Sequence, residues 1–259
     1  MTATRIERAA GLILNARLTH VPVLLPDDCR PQTTDQAYAI QHRVTERLNL
    51  PSAGWKIGAA SKAVAAAEGA SSAVSGRLFR PNVHRSPAKL GTDRFTSFRN
   101  CEVEFVLRVG RDLPSRTELY THKDIADAVD RLYPAIEIGD SRLADRATAG
   151  FLTVCADNAG GTQLVLGDEI QDWQRLDLPN HSVSMLINEK PVARGMGRDV
   201  MGHPINALLW LVNQQNGWNN SVPAGSLIAT GTCTGINIAQ PGDHALADFG
   251  EIGQVEIRF

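Results

Sequence analysis

The sequence predicts an α+β fold: a mixed β-sandwich or β-roll with an α-rich N-terminal part. Three observations predict it. Helix-period apolar patterns open the chain, over residues 4–19 and 34–48. The later part is dominated by short runs rich in β-formers and bounded by Gly, Pro and Asn. Those runs do not alternate regularly with helices, which argues against a doubly wound parallel sheet. We therefore divide the chain into residues 1–80, an α-rich segment packed on the core, and residues 81–259, a mixed β-roll domain.

Taken in order, Ile6, Ala10, Ile13, Leu14 and Leu18 fall near one face of the first helix, with Thr4 as its cap and Glu7 completing a capping box. After a Pro-rich link, Ala37, Ile40, Gln41 and Val44 mark the second helix. Gly54-Trp-Lys-Ile-Gly58 reads as a short strand, residues 61–69 as an Ala-rich helix and residues 74–79 as an extended run. Residues 100–109 form a strand, 124–132 a helix and 134–139 a strand. Residues 151–156 read as a β-run that ends in the turn-forming Asp157-Asn-Ala-Gly-Gly161. Strand 162–167 and a hairpin, 182–187 with 191–195, come next. His203-Pro204 introduces a helix over 205–216, and strands at 225–232 and 254–259 close the chain.

The totals narrow the function classes. The chain has 259 residues, 43% hydrophobic and 21% charged, with a formal net charge of −2. There is no basic stripe for nucleic acid and no apolar run long enough to span a membrane. The N-terminus lacks a signal h-region, so a cytoplasmic location is expected. The four cysteines, Cys29, Cys101, Cys155 and Cys233, show no C-x-x-C spacing and read as reduced, buried thiols.

Glu102-Val-Glu104 carries the chemistry. A strand has a side-chain period of two, so both carboxylates point to one side, while Val103, Phe105, Leu107 and Val109 point to a core. Adjacent carboxylates repel and need a cation. Oxygen ligands suit magnesium or manganese better than zinc. Glu137 lies between two isoleucines of a second strand and also needs a partner. Lys56, flanked by Trp55 and Ile57, is a partly buried ammonium facing an anion. Three carboxylates would leave a divalent ion with one negative charge in excess, which a nearby lysine offsets. A 2-oxo acid could then chelate the ion through its carboxylate and keto oxygens, the metal stabilising an enolate as a Lewis acid. Asp140 and Arg142 could pair with each other or face this site.

Other motifs carry less. Gly195, Gly197 and Gly202 do not have dinucleotide-fingerprint spacing. Gly231-Thr-Cys-Thr-Gly235 resembles a nucleophile elbow, but an extended segment follows where a helix is required, so Cys233 reads as a buried or pocket-lining thiol. The histidines lack metal-ligand spacing, and His84 and His203 read as structural or surface residues.

Several stretches, in order, resemble the fumarylacetoacetate hydrolase superfamily, within it the branch of 2-keto-4-pentenoate hydratases and 4-oxalocrotonate decarboxylases. They are Ala37-Tyr-Ala-Ile-Gln41, Gly54-Trp-Lys-Ile-Gly58, Glu102-Val-Glu104, Pro134 to Arg142, Ala156-Asp-Asn-Ala159, Gly202-His-Pro204, Gly231-Thr-Cys-Thr234 and Pro241-Gly-Asp243. The resemblance implies a β-roll like that family's C-terminal domain and a magnesium or manganese site formed by Glu102, Glu104 and Glu137. It implies Lys56 as the catalytic lysine and substrate contacts from Thr232, Cys233 and Thr234. It also implies a homo-oligomer acting on a small 2-oxo acid in aromatic catabolism, by tautomerisation of a 2-hydroxydienoate and addition of water. Decarboxylation through the same enolate is the alternative. A C–C hydrolase of the acylpyruvate type is a further one, and would need a base such as His20 or His42. Val74 stands where hydratases of this branch usually carry an aspartate, and Glu68, Ser72 and Ser75 are the candidates to replace it.

Overall fold

A computed structural model describes residues 1–259. Helix α1 (Ala3–Thr19) is capped by Thr2, whose hydroxyl accepts from Arg5 N, so the expected Thr4–Glu7 capping box does not form. Glu7 instead pairs with Arg43 and Arg47 of α2 (Thr34–Leu48). Strand β1 (Ser52–Gly58), helix α3 (Lys62–Glu68) and strand β2 (Val74–Phe79) follow as expected. Two short strands, β3 (Val83–Arg85) and β4 (Ala88–Lys89), precede the long β5 (Arg99–Val109).

The helix expected over 124–132 is corrected. Helix α4 (His122–Ala126) starts at a Thr121–Asp124 capping box and stops early. Strand β6 (Val129–Gly139) begins where Val129 and Leu132 can be buried between the sheets. The expected β-run over 151–156 is also corrected, to helix α5 (Phe151–Ala156). Its packing against α2 overrides β-propensity: Gln41 donates to Cys155 O at 2.9 Å, and Val154, Cys155 and Ala156 are buried in the cluster formed with α1 and α2.

Strand β7 (Gly161–Leu166) leads to the hairpin β8 (Ser182–Ile187) and β9 (Lys190–Met196). Its turn residues Asn188 and Glu189 have φ of 50° and 65°, as a two-residue type I′ turn requires. Helix α6 (Pro204–Gly217) is capped by His203, whose Nδ1 accepts from Ile205 N at 3.0 Å. Strand β10 (Leu227–Ala229) is shorter than the expected 225–232, because the chain leaves extended geometry at Gly231 (φ 110°). The chain ends in β11 (Ile238–Ala239), an unanticipated β12 (His244–Asp248) and β13 (Gln254–Arg258).

Two mixed sheets result. The larger has the order β2-β1-β10-β5-β6-β7-β3, with β11 also on β5; the smaller has the order β4-β13-β12-β8-β9. Val103, Phe105, Leu107, Ile136 and Ile138 of the larger sheet and Val183, Met185, Ala245, Ala247 and Val255 of the smaller are buried in one apolar core. Alternation then sends Lys56 of β1, Glu102 and Glu104 of β5 and Glu137 of β6 to the opposite face of the larger sheet. No helix is long and apolar enough to cross a membrane.

Candidate metal centre

Strand pairing brings the carboxylates together. In the antiparallel β5–β6 register Glu102 stands opposite Glu137, and Glu104 is two residues further along β5 on the same face. One oxygen from each of Glu102, Glu104 and Glu137 lies within 4.8 Å of the others. Glu104 and Glu137 are fully buried, and Glu102 is partly open to the pocket. Lys56 arrives from β1 through β10, its Nζ 3.2 Å from Glu137 Oε1 and donating to Ala159 O at 3.1 Å.

The site is under-compensated. Glu137 Oε2 and Glu104 Oε1 are shielded from solvent and have no hydrogen-bond donor; Glu137 Oε1 has only the ion pair with Lys56. Glu104 Oε2 accepts from Gly231 N at 2.9 Å, and Glu102 accepts from Asn100. Burial raises the Glu102 carboxyl to about 7, with Lys56 opposing that rise and Glu137 adding to it. Burial, reinforced by the charges of Glu137 and Glu102, holds Glu104 well above the carboxylate range. Burial alone would lower the Lys56 ammonium, but Glu137, Glu102 and Glu104 outweigh it and raise it. One ammonium facing three converging carboxylates, with orphaned oxygens among them, fits a hard divalent cation.

The centre opens into a cavity of about 390 Å³, lined by Lys56, Glu102, Asp140, Thr232, Glu68 and Arg146 among mainly apolar groups that include Val64, Val74, Phe151 and Val154. Asp140 lines it, but its carboxylate accepts from Thr96, Ser97 and Phe98 N at 2.6–3.0 Å and therefore shapes the loop before β5. Arg142 reaches neither the pocket nor Asp140. Its Nε donates to Asp157 Oδ1 at 2.5 Å, its Nη2 to Asp157 O and its Nη1 to Thr162 Oγ1. That pair braces the 157–161 turn that presents Ala159 O to Lys56.

The three residues of the 232–234 segment are placed differently. Thr232 lines the cavity. Thr234 accepts through Oγ1 from Val103 N at 3.3 Å. Cys233 is buried in the inter-sheet core, where burial and the nearby Glu104 charge push its thiol well above the usual range. All four cysteines are free and buried. His84 is half-buried on Gln163 and His203 caps α6, both structural as expected. Ser75 is tied to Gln214 and Tyr38, whereas Glu68 faces the pocket and is held by Arg146.

The sequence reading missed three contributors. Asn100 continues the same-face alternation of Asn100-x-Glu102-x-Glu104, a signal that was available. Gly231 gives Glu104 its only donor, but nothing in its sequence context shows which carboxylate it serves. Arg146 sits in an irregular segment with no pattern to single it out.

Comparisons with known proteins show what the chain is similar to. The family model of the fumarylacetoacetate (FAA) hydrolase C-terminal domain matches residues 62–259. A 2-keto-4-pentenoate hydratase of Paraburkholderia xenovorans (strain LB400) is 31% identical over 263 residues, covering 100% of this chain and 96% of that protein. A 4-oxalocrotonate decarboxylase of Pseudomonas putida is 32% identical over 136 residues, 52% of this chain and 51% of that protein. Among solved structures, a 4-oxalocrotonate decarboxylase from Pseudomonas putida G7, complexed with magnesium and adipate, superposes with a TM-score of 0.91 at 25% identity, covering 100% of this chain and 98% of that one.

Proposed function

The chain belongs to the fumarylacetoacetate hydrolase family, and on that footing we propose that it is a divalent-metal-dependent lyase of aromatic catabolism, adding water to a 2-hydroxydienoate. The observation that carries this reading is the set of buried, donor-less carboxylate oxygens on Glu104 and Glu137 beside Glu102 and Lys56. Glu102, Glu104 and Glu137 would hold Mg2+ or Mn2+, which when bound supplies a Lewis acid that stabilises negative charge developing on the oxygens of a 2-oxo acid.

The chain's own residues supply the rest. Lys56, fixed by Glu137 and Ala159 O, exchanges a proton with the oxygen end of the substrate and offsets its carboxylate. Thr232 contacts the substrate from the 232–234 segment, while Cys233, Thr234, Asp140 and Arg142 support the walls. The apolar lining keeps bulk water from the diene, so that water is admitted only where the chemistry needs it. Residues 1–80 form the α-rich part and contribute β1 with Lys56; residues 81–259 carry the β-roll and the carboxylates. The reading extends to a homo-oligomer in the cytoplasm, consistent with four free thiols.

A second reading, decarboxylation, is favoured by one observation. Val74 lines the pocket where an aspartate is usual in hydratases of this branch, leaving an apolar wall in place of a proton-handling group. Product identification separates the two readings. With 2-hydroxypenta-2,4-dienoate, a hydrated product lost with chelator and restored by Mg2+ or Mn2+ supports the hydratase. Carbon dioxide from 2-oxohex-3-enedioate alone moves the assignment to the decarboxylase.

A further inference from the structure

The cavity has one cationic side chain besides Lys56, and it lies in the lining rather than on the sheet. Arg146 follows β6 in the irregular 140–150 segment and meets Glu68 at the end of α3, its Nη2 donating to both Glu68 oxygens at 2.8 Å. Glu68 engages only Nη2, so the Nη1 hydrogens of this 27% exposed side chain stay free on the cavity side. Arg146 Nε is shielded from solvent and unsatisfied. A guanidinium edge that is free on the wall of a cavity can donate to an anionic group bound there. The charges of Glu68 and Arg146 both act on Glu102, so the pair sits within electrostatic reach of the carboxylate cluster.

The remaining lining around this pair is apolar. Val64 comes from α3 and Phe151 and Val154 from α5, so a carbon chain running from the centre toward Arg146 meets hydrocarbon. A substrate ending in a vinyl or methyl group would leave the free Arg146 Nη1 edge without an acceptor, whereas a second carboxylate would supply one.

We propose that Arg146, anchored by Glu68, is the specificity-determining residue for a distal carboxylate, so that the substrate class is a 2-hydroxydienoic or 2-oxo dicarboxylic acid. This rests on the lyase reading for the proximal end of the substrate. The distal carboxylate accepts from Arg146 while the C1 carboxylate and C2 oxygen face the acidic cluster. Glu68 sets the guanidinium orientation and shares its charge, which penalises a neutral distal group less than a free arginine would and still favours an anion.

The test is equilibrium binding of two unreactive acids to the Mn2+-loaded protein, 2-oxohexanedioate and 2-oxopentanoate, by calorimetry. The wild type is expected to bind the dicarboxylate roughly 10- to 100-fold more tightly, the range of one charge-assisted pair. In Arg146→Ala that ratio falls to about one, and Arg146→Lys, which keeps the charge but loses the fork, restores part of it. Equal binding of the two acids by the wild type, or a preference that survives in Arg146→Ala, overturns the assignment. Turnover of 2-hydroxydienoates is measured separately. Its absence with an intact binding preference overturns the lyase reading and leaves the Arg146 assignment standing.

Discussion

Glu102 shows how burial couples the acidic cluster to pH. Its carboxyl is raised from 4.5 to about 7 by burial and by Glu137, against the pull of Lys56. A group whose folded pKa lies above its unfolded value is most stabilising when protonated: its contribution is complete below about 4.5 and is lost as pH rises through about 7. The metal-free protein should therefore lose up to about 3 kcal/mol of stability between pH 5 and pH 8, and Glu104 acts in the same direction. Protons and the cation compete for the same oxygens, so Mn2+ affinity should rise steeply over that range. Thermal melts of chelated protein across this range, with and without added Mn2+, check both. A melting temperature that rises with pH in the chelated protein would contradict this account.

At the scale of elements, two turns hold the functional groups in place. Gly231 sits at φ 110°, and a Cβ there would lie 2.5 Å from Ala60 Cβ. Gly231→Ala should cost about 2–4 kcal/mol through strain and overpacking and should weaken Mn2+ binding, because the turn must shift and carries with it the backbone N–H that donates to Glu104. Unchanged metal affinity in a folded Gly231→Ala protein would separate the turn from the site. The 157–161 turn carries Asn158 and Ala159 at φ 57° and 49° and is fastened by Arg142 on Asp157. Asp157→Ala leaves a buried guanidinium unpaired and should cost roughly 3–5 kcal/mol. Its folded fraction should turn over more slowly, since Ala159 O no longer fixes Lys56; full specific activity would show that the lysine needs no such brace.

The same elements show what was legible in the sequence. Period-two alternation placed Glu102 and Glu104 on one face of β5, and the structure has them there. Helix α2 was legible because its apolar face repeats at helical spacing between Thr33 and Asn49. Residues 151–156 were not legible: their β-branched and aromatic content describes local preference, whereas α2 and Gln41 decide the outcome from 114 residues away. The strand start at Val129 was hidden in the same way, by burial that local sequence does not encode. Arg142 could be identified as a residue in need of an anion, but its choice of Asp157 over Asp140 depends on how the turn after α5 folds back.

On the scale of the whole molecule, two sheets enclose an apolar core, and the larger presents its other face to a cavity walled by α3 and α5. Segments from distant parts of the chain converge on that face: Lys56 precedes Glu102 by 46 residues, and Gly231 follows the carboxylates in the C-terminal part. This arrangement makes the centre sensitive to global folding, so a truncation that removes β1 should abolish activity even with all three carboxylates retained. The central claim is that Glu102, Glu104 and Glu137 bind one divalent cation. Calorimetric titration of Mn2+ into chelated protein at pH 8 tests it, with the Glu137→Ala variant alongside. One site per chain, lost in the variant together with turnover, is the predicted result. A site that persists unchanged in Glu137→Ala would contradict the account.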